Sequence, residues 1–298
     1  MDLSVVILNY LNYEDTITCV NTVLSQSYQP KLIVIVDNAS TNDSFKILNE
    51  RFMSYNQVHV VRTDVNLGFA QGNNVGIKYC LNKNSRNVLV LNNDVIFEGE
   101  DFLLKLSKID EQDNIGMIGT NIIGKNGKNQ NPVYMNNTFF NLLKRLNYLL
   151  FSETRPYIIL KKMMHRDSVE NIQRIEKEDK MVVHHDNNYI LHGAAILFTN
   201  NFFKNYSGFF PETFLYIEEN ILDFMLKKAN LKTLFIGDLT IKHKEDQSSE
   251  MAFSNKRKIY KKYMLKSTVV AIKVFFMTKK QITRKTFSNF NELKYFEE

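Results

Sequence analysis

Through the first 125 residues, short apolar runs alternate with longer stretches in which apolar residues recur every three or four positions. Leu3 to Leu8 is the first run, and it stops at Asn9-Tyr10. From Asp15 to about Ser27, Ile17, Val20, Val23 and Leu24 fall on one helical face. Pro30 closes that connection, and Leu32 to Val36 forms a second apolar run that ends in Asp37-Asn38-Ala39-Ser40. Thr41 or Asn42 can cap a helix running through Phe52, and Val58 to Val61 is a third strand. Strand and helix alternating at this spacing predict an α/β fold: a doubly wound, mostly parallel sheet with right-handed crossovers.

The centre of the pattern is Asn87-Val88-Leu89-Val90-Leu91-Asn92-Asn93-Asp94-Val95-Ile96-Phe97. Its apolar half fits a strand buried on both faces, and it breaks off into three polar residues. Ligands of open α/β sheets collect beyond the carboxyl ends of the strands. A carboxylate there, flanked by amides, suits a hard divalent cation that also holds phosphates. A plain Asn/Asp turn accounts for the same residues. Just upstream, Asn66-Leu67-Gly68-Phe69-Ala70-Gln71-Gly72-Asn73-Asn74-Val75-Gly76 spaces three glycines by four. It reads equally as a phosphate-binding loop or as the start of a glycine-containing helix. It is not the dinucleotide fingerprint, because the spacing differs and no acid-ended strand follows at the required interval.

Beyond the centre the pattern predicts a helix from Asp101 to Ile109 and an edge strand from Gly116 to Ile123. Residues 125–188 read as an insertion covering one side of the sheet: a polar turn, an apolar helix from Thr138 to Phe151, and a highly charged stretch from Lys161 to Lys180. His184-His185-Asp186 has metal-ligand residue types, but strand neighbours point to opposite faces, so the two histidines do not readily share a metal. Tyr189 to Phe198 reads as a strand punctuated by Gly193, which leaves room for substrate at the backbone. The run from Gly208 to Leu222 puts Glu218 and Glu219 at a helix start, where the dipole favours acidic residues. The aromatic residues before them favour a raised pKa and a role as base. A strand from Leu231 to Ile236 and the segment from Thr240 to Ser249 close the ordered body.

With 44% of 298 residues hydrophobic, the chain can bury an ample core in one large α/β domain or two smaller ones. Cys19 and Cys80 offer neither a disulfide framework nor a metal knuckle. No basic leader precedes the first strand, and no apolar run reaches the roughly 18 residues a spanning helix needs. A cytoplasmic setting is expected. The net charge of +6 is concentrated at one end: between Met251 and Asn291 stand eleven basic residues and no acidic one. Ile259, Tyr260, Tyr263, Met264 and Leu265 lie among them at helix-like spacing. This tail reads as a basic amphipathic helix on an anionic leaflet, as a packing helix, or as a dimerisation helix in a homo-oligomer. No recognition module for nucleic acid accompanies the charge. The organisation expected is a catalytic body over 1–250 and a basic helical extension over 251–298.

The order of these motifs resembles the family 2 glycosyltransferases, whose GT-A fold is a Rossmann-like sheet, and especially bacterial enzymes that build surface polysaccharides. Five segments between Leu3 and Ser249 carry the resemblance: the first strand into Asn9-Tyr10, Val36 to Ser40, Asn66 to Asn74, Leu91 to Asp94, and Leu215 to Glu219. It implies an inverting transfer from a UDP- or dTDP-sugar to a cell-surface or polyprenyl-diphosphate-linked glycan. By the resemblance, Asp37 would hydrogen-bond the imide edge of uracil or thymine. Leu8, Asn9, Asn38, Asn66, Gly68, Asn73, Asn92 and Asn93 would surround the nucleoside and phosphates. Asp94 matches the last residue of the DxD motif that binds Mg²⁺ or Mn²⁺, while Asn92 stands in the first position. His243 matches a histidine that completes the metal site in some relatives. Glu219 matches the second residue of the Glu-Asp pair, the general base, with Glu218 as an alternative base or orienting group. His192 and Gly193 would face the acceptor. Two positions depart from the common pattern: Ile221 replaces Asp and Met225 replaces Arg. A nucleotidyltransferase would need Gly and Lys after the first strand, and Asn9 to Asp15 has neither. A non-catalytic nucleotide-sugar-binding partner is the other alternative, kept open by Asn92.

Overall fold

The computed structural model describes residues 2–109, 114–134, 137–152, 181–184, 189–245 and 256–297. The first half alternates as its pattern predicts: β1 (Leu3–Asn9), α1 (Tyr13–Leu24), β2 (Ile33–Asp37), α2 (Ser44–Phe52), β3 (Val58–Arg62), α3 (Gly68–Asn82) and β4 (Asn87–Asn92). Then come β5 (Val95–Phe97), α4 (Phe102–Ser107), β6 (Ile115–Ile123), β7 (Val133–Tyr134), α5 (Phe139–Phe151), β8 (Met181–His184) and β9 (Tyr189–Ile190). The chain continues through β10 (Ala195–Phe198), α6 (Asn200–Phe203), α7 (Glu218–Ala229), β11 (Lys232–His243), α8 (Lys256–Phe276) and α9 (Lys279–Glu292).

The main sheet runs β3-β2-β1-β4-β10-β6-β11-β5, and β8 also pairs with β11. β3, β2, β1 and β4 are parallel, as are β6 and β11. β10 lies antiparallel between β4 and β6, and β5 and β8 run antiparallel to β11. Successive strand residues face opposite sides, so Val6, Val34, Val36, Val88 and Val90 join one apolar cluster. Val5, Ile7, Ile33, Ile35, Leu89 and Leu91 join the other. Burial on both faces is why these strands read as unbroken apolar runs rather than alternating ones.

Two expectations need correction. β6, expected at an edge, lies inside the sheet between β10 and β11, and eight of its nine residues are buried. Tyr189 to Phe198 is two strands, not one: β9 pairs with β7, and a turn over 191–194 leads to β10. The charged stretch Lys161 to Lys180, together with His185 and Asp186, falls outside the described residues.

The basic tail is stitched to the body. Val270, Ala271 and Val274 of α8 and Ile282 of α9 are buried in the same cluster as α3 and α7. Ser267 Oγ donates to Leu215 O at 2.8 Å, and Thr283 Oγ1 to Asn205 O at 3.0 Å. Lys273 and Lys285 both reach Glu212. Phe296 pairs with Arg62 on the β3 edge through two backbone hydrogen bonds of 2.9 Å. Of the three readings of the tail, the packing helix describes its apolar side, which lies against the protein. Among the described residues, no helix is long and apolar enough to cross a membrane.

Candidate active site

Three polar residues, Asn9, Asp37 and Asn92, crown adjacent strands. Asn9 stands opposite Asp37 at the ends of β1 and β2, and Leu8 opposite Asn92 at the ends of β1 and β4. Asp37 is fully buried and already engaged: Oδ1 accepts from Asn9 Nδ2 at 2.8 Å, and Oδ2 from the Ser40 amide at 3.2 Å with Arg62 Nε at 3.6 Å. A carboxylate offers about four lone-pair sites, so one direction is left uncommitted. Asn9 Oδ1 accepts from Thr16 Oγ1 at 2.8 Å, which ties the strand end to α1.

Asn38 anchors the glycine loop. Its Nδ2 donates to Asn66 Oδ1 at 3.1 Å and Gly68 O at 3.2 Å, and its Oδ1 accepts from the Leu67 amide at 2.9 Å. Gly68 sits at φ +77°, and a Cβ there would lie 2.3 Å from Phe214 O. Only glycine lets this loop close against the segment leading to α7, where the Phe69 amide donates to Phe214 O at 2.7 Å. Asn73 is fully buried in α3, with its Nδ2 on Phe69 O and its Oδ1 without a hydrogen-bond partner. Such an orphaned acceptor costs on the order of 1–3 kcal/mol.

Past β4, Asp94 and His243 converge: His243 Nε2 lies 3.2 Å from Asp94 Oδ1, and both residues are buried. Asn92 Nδ2 approaches the same ring nitrogen at 3.5 Å. The tautomer follows from the other side of the ring. Gln130 Nε2 donates to the carboxylate of Glu245, which can only accept. Gln130 therefore turns its Oε1 to His243 Nδ1, 2.9 Å away, so Nδ1 carries a proton and Nε2 is the ring nitrogen turned to Asp94. Carboxylate plus imidazole is a fitting donor set for a cation whose remaining ligands come from phosphates and water. No cluster of three His, Cys, Asp or Glu gathers among the described residues. Asn93 has a different job: its Nδ2 donates to Asn12 O and Thr16 Oγ1, which fixes the turn against α1.

The acidic pair opens α7 after two left-handed residues, Tyr216 (φ 74°) and Ile217 (φ 71°). Holding β-branched Ile217 there costs roughly 1–3 kcal/mol and is a mark of a functional turn. Glu218 is buried with Oε1 lacking a partner; burial and the neighbouring Glu219 charge push its carboxyl above the usual range. Burial likewise raises Glu219, against the pull of its own amide, the Gly193 amide and the charge of Arg145. Glu219 Oε1 accepts from Gly193 N at 3.2 Å. The room left by the missing Gly193 side chain, expected to admit substrate, is filled by this carboxylate: a Cβ would lie 2.5 Å from Oε1.

The 192–194 turn joins the two halves. Gly193 holds Glu219, Ala194 O accepts from the Asn92 amide at 2.9 Å, and the His192 ring meets the His243 ring edge-on at 5.5 Å. The base candidate and the Asp94–His243 pair are thus neighbours across one turn. Gln130, Glu245, Thr16 and Arg145 were not singled out by the sequence. Polar residues of the turn and insertion give no periodic signal, although Gln130 follows the strand that ends at Ile123 by one short hairpin.

A mixed sheet crowned by a carboxylate–imidazole pair and a glutamate pair, one member buried and one half-buried, defines a GT-A-like class of protein. Residues 4–196 match the model of glycosyl transferase family 2, more than half of the chain, and the chain belongs to that family. It is similar to the low-salt glycan biosynthesis hexosyltransferase Agl10 of Haloferax volcanii, 32% identical over 127 residues, 42% of this chain and 38% of that protein. The chain therefore matches well under half the length of that relative. Among solved structures, the mannosyltransferase PcManGT of Pyrobaculum calidifontis with GDP-Man and Mn²⁺ superposes with a TM-score of 0.54 at 11% identity, covering 97% of this chain and 73% of that one. S. aureus TarS in complex with UDP-GlcNAc gives 0.54 at 17% identity, covering 99% and 74%. At these identities the likeness shows the fold.

Proposed function

We propose that this protein is an inverting glycosyltransferase that moves a hexose from a UDP- or dTDP-sugar to a hydroxyl of a lipid-linked or cell-surface glycan. The observation that carries this reading is the single turn, 192–194, that sets Glu219 beside the Asp94–His243 pair at the carboxyl end of the sheet. Asp37, Asn9, Asn38, Asn66, Gly68 and Asn73 line the nucleoside side, where the one uncommitted direction of the Asp37 carboxylate suits the imide N–H of uracil or thymine. Asp94 and His243, with Asn92 beside them, would hold Mg²⁺ or Mn²⁺. Such an ion, when bound, offsets charge on the diphosphate leaving group.

Glu219 takes the acceptor hydroxyl's proton. The Gly193 amide occupies one of its oxygens and leaves the other to face the acceptor, while burial strengthens it as a base. The deprotonating oxygen attacks the anomeric carbon opposite the leaving diphosphate, and the configuration inverts in one displacement. Glu218, protonated by its surroundings, keeps a second negative charge out of the pocket. Ile221 and Met225 are buried core residues of α7, so the departures at these positions serve packing rather than acceptor contact.

The test is calorimetric titration with UDP, dTDP, GDP and CDP, with and without Mn²⁺, followed by turnover of the matching nucleotide sugars. Manganese-dependent binding of UDP or dTDP and release of the nucleoside diphosphate are expected. Binding without turnover on any glycan acceptor would favour a non-catalytic sugar-nucleotide-binding partner. No nucleotide binding by folded protein would refute both.

A further inference from the structure

The outward faces of α5 and α8 form a second surface. Along α8, Lys258, Lys262, Lys266, Val269, Lys273 and Phe276 are exposed, at spacings of four, four, three, four and three. At 1.5 Å per residue, the basic part of this stripe is about 22 Å long. The opposite side of α8, including Val270, Ala271 and Val274, is buried against the body. The stripe ends in aromatics. Phe276 is 67% exposed and Phe140 of α5 is 72% exposed. Both pack on Phe139, at ring distances of 5.2 and 5.8 Å. Leu143 and Leu150 continue the exposed apolar side of α5.

We propose that this surface docks the protein on an anionic lipid bilayer, with the α8 lysines over the headgroup phosphates and Phe140 and Phe276 at the acyl boundary. Charge complementarity selects the occupant: no acidic residue stands between Met251 and Asn291 among eleven basic ones, and among the described residues only Lys273 of the stripe is met by a carboxylate of the body, Glu212. Lysines beside exposed rings suit an interface that is anionic above and apolar below. A soluble polyanion would use the lysines but leave Phe140 and Phe276 without a function.

The surface also lies on the acceptor side of the site. Asn137, two residues before α5, donates to Asn220 O at 2.8 Å and to Asp223 Oδ2 at 2.7 Å, and the charge of Arg145 in α5 acts on Glu219. Docking there would bring a lipid-anchored acceptor toward Glu219, a consequence that rests on the proposed glycosyltransferase reading. The binding itself does not.

Sedimentation of the full chain with phosphatidylcholine vesicles, with and without phosphatidylglycerol, tests the proposal. Binding should need phosphatidylglycerol and weaken from ~0.1 M to ~1 M NaCl, as the screening length falls from about 10 to about 3 Å. The triple variant Lys258→Ser, Lys262→Ser, Lys266→Ser should lose about a hundredfold in partitioning, at about fivefold per lysine. Phe140→Ser with Phe276→Ser should weaken binding to vesicles but leave binding to dextran sulfate unchanged. Equal binding to neutral vesicles, an unaltered triple variant, or capture by dextran sulfate with no vesicle binding would overturn the proposal. UDP titration of each variant should match the wild type. If the wild type itself fails to bind UDP, the glycosyltransferase reading falls while the vesicle result stands.

Discussion

Gly193→Ala should disable the protein while barely disturbing its fold. The backbone at 193 lies outside the left-handed region, so alanine meets no conformational penalty there. Its Cβ would nevertheless lie 2.5 Å from Glu219 Oε1, where ordinary contact begins at 3.4 Å. The carboxylate must therefore retreat by about 0.9 Å, and a misplacement of ~1 Å at a reacting group can cost ~10²-fold in rate. Because the displaced atom is the far end of a flexible side chain, the strain is relieved by rotation rather than by unfolding. We expect kcat to fall about a hundredfold, or ~2.7 kcal/mol in barrier. The melting temperature and UDP affinity should stay near the wild-type values. Steady-state kinetics, calorimetry and a thermal melt decide the matter together. A kcat within about threefold of wild type, with donor binding intact, would refute the idea that Gly193 sets the position of the base.

The remaining predictions use the same assays. Glu219→Gln should leave UDP affinity unchanged and lower transfer by ~10²–10⁴-fold, the usual contribution of a general base; normal transfer would move the base elsewhere. Asp94→Ala should abolish the manganese dependence of UDP binding, and an unchanged titration would remove Asp94 from the metal site. Gln130→Ala frees the His243 ring to protonate Nε2 instead of Nδ1, so Mn²⁺ affinity should drop ~10–100-fold, and ring nitrogen shifts in the metal-free protein should report the tautomer independently. Because the Glu219 carboxyl is raised, transfer should increase with pH through a value above the ordinary glutamate range. Glu218 works in the opposite direction for stability. Its raised carboxyl favours the protonated form in the fold, so its contribution is complete below the unfolded value and lost as pH rises through the folded one. Glu218→Gln should flatten that alkaline decline in the melting temperature, and an unchanged decline would assign it to another group.

How much of this was legible in the sequence depends on distance along the chain. The parallel strands announced themselves because burial on both faces demands uninterrupted Val, Ile and Leu, and their ends did because polar residues must follow where the sheet stops. Asp37, Asp94 and Glu219 were therefore visible as chemistry. What a residue does with its neighbours was not. His243 and Gln130 stand 113 positions apart, and only the folded hairpin after β6 makes one fix the tautomer of the other. Gly193 signalled an empty space, but not that Glu219, 26 residues on, would fill it. β6 looked like an edge because the pattern loosens after it, and its inner position depends on β10 and β11, which come much later.

The tail shows the same division between composition and placement. Its eleven basic residues were plain, and so was a helical period, yet the period alone does not say which side is covered. The body decides that question. α5, α7 and α3 offer apolar surface to Val270, Ala271, Val274 and Ile282, and Leu215 O offers an acceptor to Ser267. Burying Val270, Val274 and Ile282 on protein is worth several kcal/mol, since each contributes about 1.5–3, and that contact is available whether or not a membrane is present. The apolar face is therefore already spent inside the fold. Any attachment to a surface must work through the lysines that remain outside and through exposed rings, of which Phe140 and Phe276 are the barest on α5 and α8. Such binding is salt-sensitive and reversible, as the proposed transfer to a lipid-borne acceptor from a soluble nucleotide sugar would require.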